Sequence, residues 1–132
     1  MSIYLDSSAL VKLVIRESES ESLITFLDER NDTNLVTSAL SRVEVARAAA
    51  TGGPEVRALA HSHLASIDQI AIDDEVLLRA SQIFADERLR TLDAIHLASA
   101  LSIGASLKNV VTYDQRMTNA ARRLGLDVVA PA

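Results

Sequence analysis

A chain of 132 residues with a formal charge of -5, 48% hydrophobic residues and no cysteine is long enough for one domain over 1–132, burying roughly 65 to 70% of the surface its unfolded form exposes. Without cysteine it has no disulfide framework and no thiolate metal site, so any metal must be held by oxygen or imidazole. The negative balance excludes a broad basic surface that grips duplex nucleic acid unaided, and two Phe with two Tyr are too few for an aromatic platform that stacks successive bases.

In chain order, Ser2-Ile3-Tyr4-Leu5 reads as a buried strand over 2–5. It has no basic segment before it and is cut by Asp6, so it is not a signal sequence. Helical periods follow over 8–16 and 20–30, a strand over 34–37, and helices over 39–50 and 54–66. The turn Thr51-Gly52-Gly53-Pro54 joins those two helices, with Pro54 in the first turn of the second, where its missing N–H costs nothing. A strand over 68–72 precedes a helix over 74–86 whose apolar face is Val76, Leu77, Ala80, Ile83 and Phe84, with Arg79, Asp86 and Glu87 elsewhere. A helix over 92–103, a strand over 109–112, a helix over 115–124 and a strand over 127–129 complete the chain, with Gly104 and Gly125 at expected left-handed helix ends. The longest uncharged run, Ala94 to Leu107, is short for a bilayer span and contains His96, so it reads as a buried helix. The expectation is a cytoplasmic protein with no membrane contact. Strands alternating with helices predict an α/β fold with a parallel sheet covered on both faces.

Four acids fall at or near junctions between strands and helices: Asp6, Glu44, Asp93 and Asp114. Each has a local explanation. Asp6 can cap the first helix, and Asp114 or Thr112 the last. Ser41-Arg42-Val43-Glu44 matches a capping box. Alternatively the helix starts earlier, with Thr37 or Ser38 as cap, and Glu44 then lies inside it near an apolar face and needs a partner. Asp93 suits the dipole of a helix that Thr91 can cap. His96 reads as a hydrogen-bonded core residue rather than a ligand.

The joint placement points further. Parallel crossovers are right-handed, and a reversal of strand order opens a crevice at the carboxyl edge of the sheet. If the strands over 2–5 and 109–112 flank that reversal, Asp6 and Asp114 face each other across it. Four close carboxylates raise at least one pKa unless a cation compensates. Oxygen-only ligation favours Mg²⁺ or Mn²⁺, and metal-assisted phosphodiester hydrolysis is the chemistry that fits. Lys12, Arg16, Arg42, Arg47 and Arg116 could contact phosphates, but solvated surface positions explain them equally, and none receives a catalytic role.

With these residues in place, the chain resembles the PIN-domain ribonucleases, specifically the VapC-type toxins of bacterial toxin–antitoxin pairs. The resemblance is carried by Ile3-Tyr4-Leu5-Asp6-Ser7-Ser8-Ala9-Leu10, Ser41-Arg42-Val43-Glu44-Val45-Ala46, Leu92-Asp93-Ala94-Ile95-His96-Leu97-Ala98 and Thr112-Tyr113-Asp114-Gln115-Arg116-Met117. The close, Ala121-Arg122-Arg123-Leu124-Gly125-Leu126-Asp127-Val128-Val129-Ala130-Pro131, extends it nearly end to end. It implies a three-layer α/β/α sandwich around a parallel sheet of four to five strands, and a Mg²⁺- or Mn²⁺-dependent endoribonuclease. The catalytic acids would be Asp6, Glu44, Asp93 and Asp114, with the metal on Asp6, Asp93 and Asp114 and with Ser8 and Thr112 in support. It further implies a homodimer, a VapB-type antitoxin that lays a basic side chain into the acidic pocket, and an RNA substrate such as a tRNA or rRNA loop. Competing readings are a catalytically silent PIN fold that acts with an antitoxin on operator DNA, and a metal-dependent phosphatase or DNA nuclease. The exposed edges of the helices over 39–50 and 54–66 are candidate dimer surfaces.

Overall fold

Apolar runs and helical periods resolve into alternating elements in a computed structural model that describes residues 1–84 and 89–132. The chain order is β1 (Ser2–Leu5), α1 (Ser7–Val14), α2 (Ser20–Asp28), β2 (Asn34–Ser38), α3 (Ser41–Ala49), α4 (Pro54–Ser66), β3 (Asp68–Ile70), α5 (Asp74–Gln82), α6 (Thr91–Ser102), β4 (Leu107–Val111), α7 (Gln115–Arg123) and β5 (Val128–Val129). Among the described residues the strands form one sheet in the order β3-β2-β1-β4-β5, and every recorded pairing is parallel. The order runs outward from β1 in both directions, so the reversal falls between β1 and β4, as the sequence reading requires.

The pleat of β1 divides the core. Ile3 and Leu5 pack with Ala9, Leu10, Leu23, Val45, Ala49 and Ala60 from α1 to α4. Tyr4, from the same strand, points the other way, among Leu97, Ala100, Met117 and Ala121 of α6 and α7. In β4, Val111 joins the first cluster and Val110 the second. Alternation of side chains across a strand thus produces the three layers, and each fully buried Leu, Ile, Val or Met contributes roughly 1.5–3 kcal/mol. A sheet apolar on both faces has no side turned to water, which is why β1 shows no polar alternation.

Most elements match their predicted ranges to within two residues, β1 and α4 fully. The strand predicted over 68–72 stops at Ile70, and the one predicted over 109–112 runs from Leu107 to Val111. The helix predicted over 39–50 starts at Ser41. Thr37 and Ser38, expected as its cap, lie in β2; Ser38 Oγ accepts from Leu40 N in the connecting turn. Thr91 is the first residue of α6 rather than its cap. The helix predicted over 74–86 ends at Gln82, two residues before Phe84, which has φ +45; Ala85, Asp86 and Glu87 lie outside the described residues. Gly104 and Gly125 have φ +75 and +79, the left-handed conformation that their positions after α6 and α7 called for.

Candidate active site

The carboxyl ends of β1 and β4 lie side by side at the sheet reversal, and the residues that follow them build the site. Asp6 leaves β1 and caps α1: its Oδ1 accepts from Ala9 N at 3.1 Å and from the Ser8 hydroxyl at 2.6 Å. Its Oδ2 accepts from the Thr112 hydroxyl at 2.5 Å. Asp114, just after β4, caps α7 through Oδ1, which accepts from Met117 N at 3.0 Å. Capping and assembly of the site are therefore two uses of the same carboxylates.

Ser8 and Thr112 tie the junctions together. The Ser8 hydroxyl accepts from Tyr113 N at 2.9 Å while donating to Asp6. The Thr112 hydroxyl accepts from Asp114 N at 3.1 Å while donating to Asp6. Every polar atom of these two hydroxyls is engaged across the β1–β4 seam. The supporting positions drawn from the resemblance thus both bond the first acid, and Ser8 reaches the backbone of Tyr113 and Thr112 that of Asp114.

Glu44 and His96 form a second arm. Ser41 makes no capping box with Glu44; its hydroxyl pairs instead with that of Thr37 at 2.7 Å, and α3 has no side-chain cap. The Glu44 Oε1 lies 2.6 Å from His96 Nε2, and His96 Nδ1 lies 2.7 Å from the Tyr4 hydroxyl. His96 is 3% exposed. The core-histidine reading holds, and the partner is a candidate catalytic acid.

Asp93, in the first turn of α6, completes the set. Arg90 donates from Nε to Asp93 Oδ2 at 3.0 Å and from Nη2 to Asp114 Oδ2 at 2.6 Å. Asp6, Ser7, Ser8, Glu44, Arg90, Asp93, His96 and Asp114 all line one cleft of about 230 Å³. All four predicted acids are brought together. A roomier hollow of about 360 Å³ between α3 and α4 is lined by Arg42, Arg57, His61, Gln69 and apolar residues and carries no carboxylate.

The electrostatics differ from simple mutual repulsion. Burial is the largest influence on Asp6 and raises its pKa despite the Ser8, Thr112 and Ala9 hydrogen bonds, which pull it down. Burial alone would also raise Glu44, but the His96 contact, Ser7 and Arg90 outweigh it and hold this carboxyl below its usual range. For Asp114, too, burial is outweighed, here by Met117 N and the Arg90 guanidinium, and its pKa falls. The acid expected to be raised is found, but desolvation raises it, and the compensating cation at Asp114 is an arginine.

Sequence reasoning missed Arg90 and the Tyr4–His96–Glu44 chain. The signal for Arg90 was its i,i+3 spacing from Asp93 at a helix start; nothing in the sequence pairs Tyr4 with position 96. Of the basic residues singled out, Lys12 is bound to Glu17 and Glu19 and lies over Tyr113, and Arg16 reaches Glu21. Neither lines the acidic cleft.

The donor set is oxygen-rich and suits a hard divalent cation. Asp6 Oδ2 carries one recorded hydrogen bond where a carboxylate oxygen can accept two. Among the described residues no three acid or imidazole side chains stand together as a finished cation cage, and Asp93 and Asp114 both bond Arg90. The residues fit such an ion in kind, with Asp93 and Asp114 needing to exchange partners.

This architecture, a parallel sheet with acids gathered at its reversal, is that of the PIN domain, and the chain belongs to the PIN domain family, matching it over residues 3–123. It is 47% identical over 130 residues to ribonuclease VapC46 of Mycobacterium tuberculosis, covering 98% of each chain. To ribonuclease VapC47 of the same species it is 38% identical over 132 residues, covering 98% of this chain and 96% of the relative. Among solved structures, the fold is similar to VapBC2 from Rickettsia felis bound to a DNA fragment from its promoter, at TM-score 0.75, 12% identity and coverage of 98% and 99%. It is likewise similar to Mycobacterium tuberculosis VapC20, a sarcin–ricin loop cleaving toxin, at TM-score 0.71, 17% identity and coverage of 98% and 100%.

Proposed function

We propose that this protein is a divalent-cation-dependent endoribonuclease, the toxin half of a toxin–antitoxin pair, acting in the cytoplasm on a loop of tRNA or rRNA. The observation that carries the reading is the convergence of Asp6, Glu44, Asp93 and Asp114 on one cleft at the β1–β4 reversal. Full-length similarity to ribonucleases of the same family supports it. Asp6, Asp93 and Asp114 would hold Mg²⁺ or Mn²⁺. Such an ion, when bound, polarises a phosphoryl oxygen and lowers the pKa of a coordinated water.

The chain's own groups divide the remaining work. Ser8 and Thr112 fix the Asp6 carboxylate from both sides, so it needs little reorganisation to act. Glu44, kept ionised at neutral pH, is the carboxylate available to take a proton from an attacking water. His96, itself anchored on Tyr4, fixes Glu44 Oε1.

The proposed partners are a VapB-type antitoxin and a second copy of the chain. Val43 on α3 and Leu59 on α4 are 57% and 42% exposed, which supports the homodimer surface expected there. A catalytically silent protein that only occupies operator DNA finds no favour in the site, because all four acids are present and gathered. Expression in a bacterial host tests the proposal: the wild type is expected to arrest translation and growth, and a folded Asp93→Asn variant to do neither. Equal toxicity of the two would contradict it.

A further inference from the structure

The guanidinium of Arg90 bridges Asp93 and Asp114, and both bonds end on Oδ2 atoms, at 3.0 and 2.6 Å. Oδ1 of Asp114 is already spent on capping α7, so Arg90 holds the oxygen of this acid that is free of the cap. A dication sharing that oxygen with a guanidinium nitrogen at 2.6 Å would face a like charge at contact distance. The Arg90 side chain does not cap the helix it starts, whose first turn closes on the Arg90 carbonyl through Ala94 N at 3.0 Å. It stands at the N-cap of α6 without a side-chain cap bond, where a cation opposes the helix dipole.

Its side chain is 53% exposed, whereas those of Asp93 and Asp114 are 13% and 30% exposed. A half-exposed guanidinium can leave for water, while the carboxylates stay in the cleft. We propose, building on the metal-dependent reading above, that Arg90 is an exchangeable counter-cation: it bridges Asp93 and Asp114 in the metal-free protein, and a divalent cation binds by displacing it. The bridge costs apparent metal affinity and offsets part of the negative charge of Asp93 and Asp114.

The test is Mn²⁺ binding, read by calorimetry and by the electron paramagnetic resonance of free Mn²⁺, for the wild type, Arg90→Ala, Arg90→Gln, Arg90→Lys and Arg116→Ala. Two exposed ion pairs set the scale, so both Arg90→Ala and Arg90→Gln should bind about tenfold tighter, with Arg90→Lys between them and the wild type. Arg116→Ala, which removes the same charge without an Asp93 or Asp114 side-chain bond, should stay within about twofold of the wild type. Unchanged or weaker binding by both Arg90→Ala and Arg90→Gln overturns displacement and makes Arg90 an organiser of the carboxylates. An equal gain from Arg116→Ala reduces the effect to net charge and overturns it as well. Loss of Mn²⁺ binding in every protein, the wild type included, would defeat the metal-dependent reading and this inference with it; equal binding by the wild type and the Arg90 variants defeats only the inference.

Discussion

Replacing Thr112 with Val removes one hydroxyl and nearly preserves shape, at a residue with no exposed surface. That hydroxyl donates to Asp6 and accepts from Asp114 N. A hydrogen bond to a charged group contributes about 1.5–3 kcal/mol, and an amide deprived of its acceptor adds about 1 kcal/mol. The new methyl returns roughly 0.8 kcal/mol. The net loss should be about 2–3 kcal/mol at pH 7, a fall in Tm of roughly 10 °C for a chain of this size, measured by urea and thermal unfolding. The loss should also depend on pH. Asp6 has a folded pKa above its ordinary value, so its favourable contribution is full below the unfolded pKa and is lost as pH rises through the folded pKa. Thr112 opposes that rise. Without it the folded pKa climbs further, and the gap between variant and wild type widens as pH rises through the folded pKa of the wild type. Thr112→Ser, which keeps the hydroxyl, should recover most of the difference. A Thr112→Val protein within about 0.5 kcal/mol of wild type, or a gap that is flat with pH, would refute the seam as described.

In Asp6→Asn two effects oppose: a charge that burial penalises is removed, but one of the two oxygens that accept from Ser8, Ala9 N and Thr112 becomes a donor; the variant should lose activity while staying folded at pH 7, destabilised by no more than about 2 kcal/mol, and a loss above about 4 kcal/mol would contradict this. Tyr4 and His96 should be energetically coupled. A double-mutant cycle with Tyr4→Phe and His96→Leu is expected to give at least about 0.5 kcal/mol, and additivity would remove His96 as the link between Tyr4 and Glu44. Both tyrosines should resist ionisation, because burial lifts Tyr113 to about 12 and pushes Tyr4 well above its ordinary value. Ultraviolet titration of the folded protein should show almost no phenolate at pH 10; half the signal there, with native circular dichroism, would show the rings to be wetter than described.

The layers and the site's acids were legible in the sequence for a physical reason. A parallel strand buried on both faces is a short apolar run, and the polar residue that ends it must sit at the sheet's carboxyl edge. Asp6 and Asp114 announced themselves that way, and the reversal between β1 and β4 placed them together. Glu44 was ambiguous because capping boxes and buried acids share one local pattern; the deciding contact, His96, is 52 residues away. Arg90 stayed hidden because an exposed arginine before a helix resembles any solvated one until Asp114, from another element, meets it. The end of α5 was misplaced since its apolar period continues through Ile83 and Phe84, while the backbone turns into the left-handed region at Phe84.

The central claim is that the gathered carboxylates cut RNA with a divalent cation. Its most direct test is cleavage of end-labelled total RNA by the purified protein with Mg²⁺, Mn²⁺ or chelator, beside a folded Asp6→Asn control and a DNA of matching sequence. The account predicts cutting at discrete RNA sites that requires metal and Asp6 and spares the DNA. Cutting that survives the chelator or the Asp6→Asn substitution would contradict it.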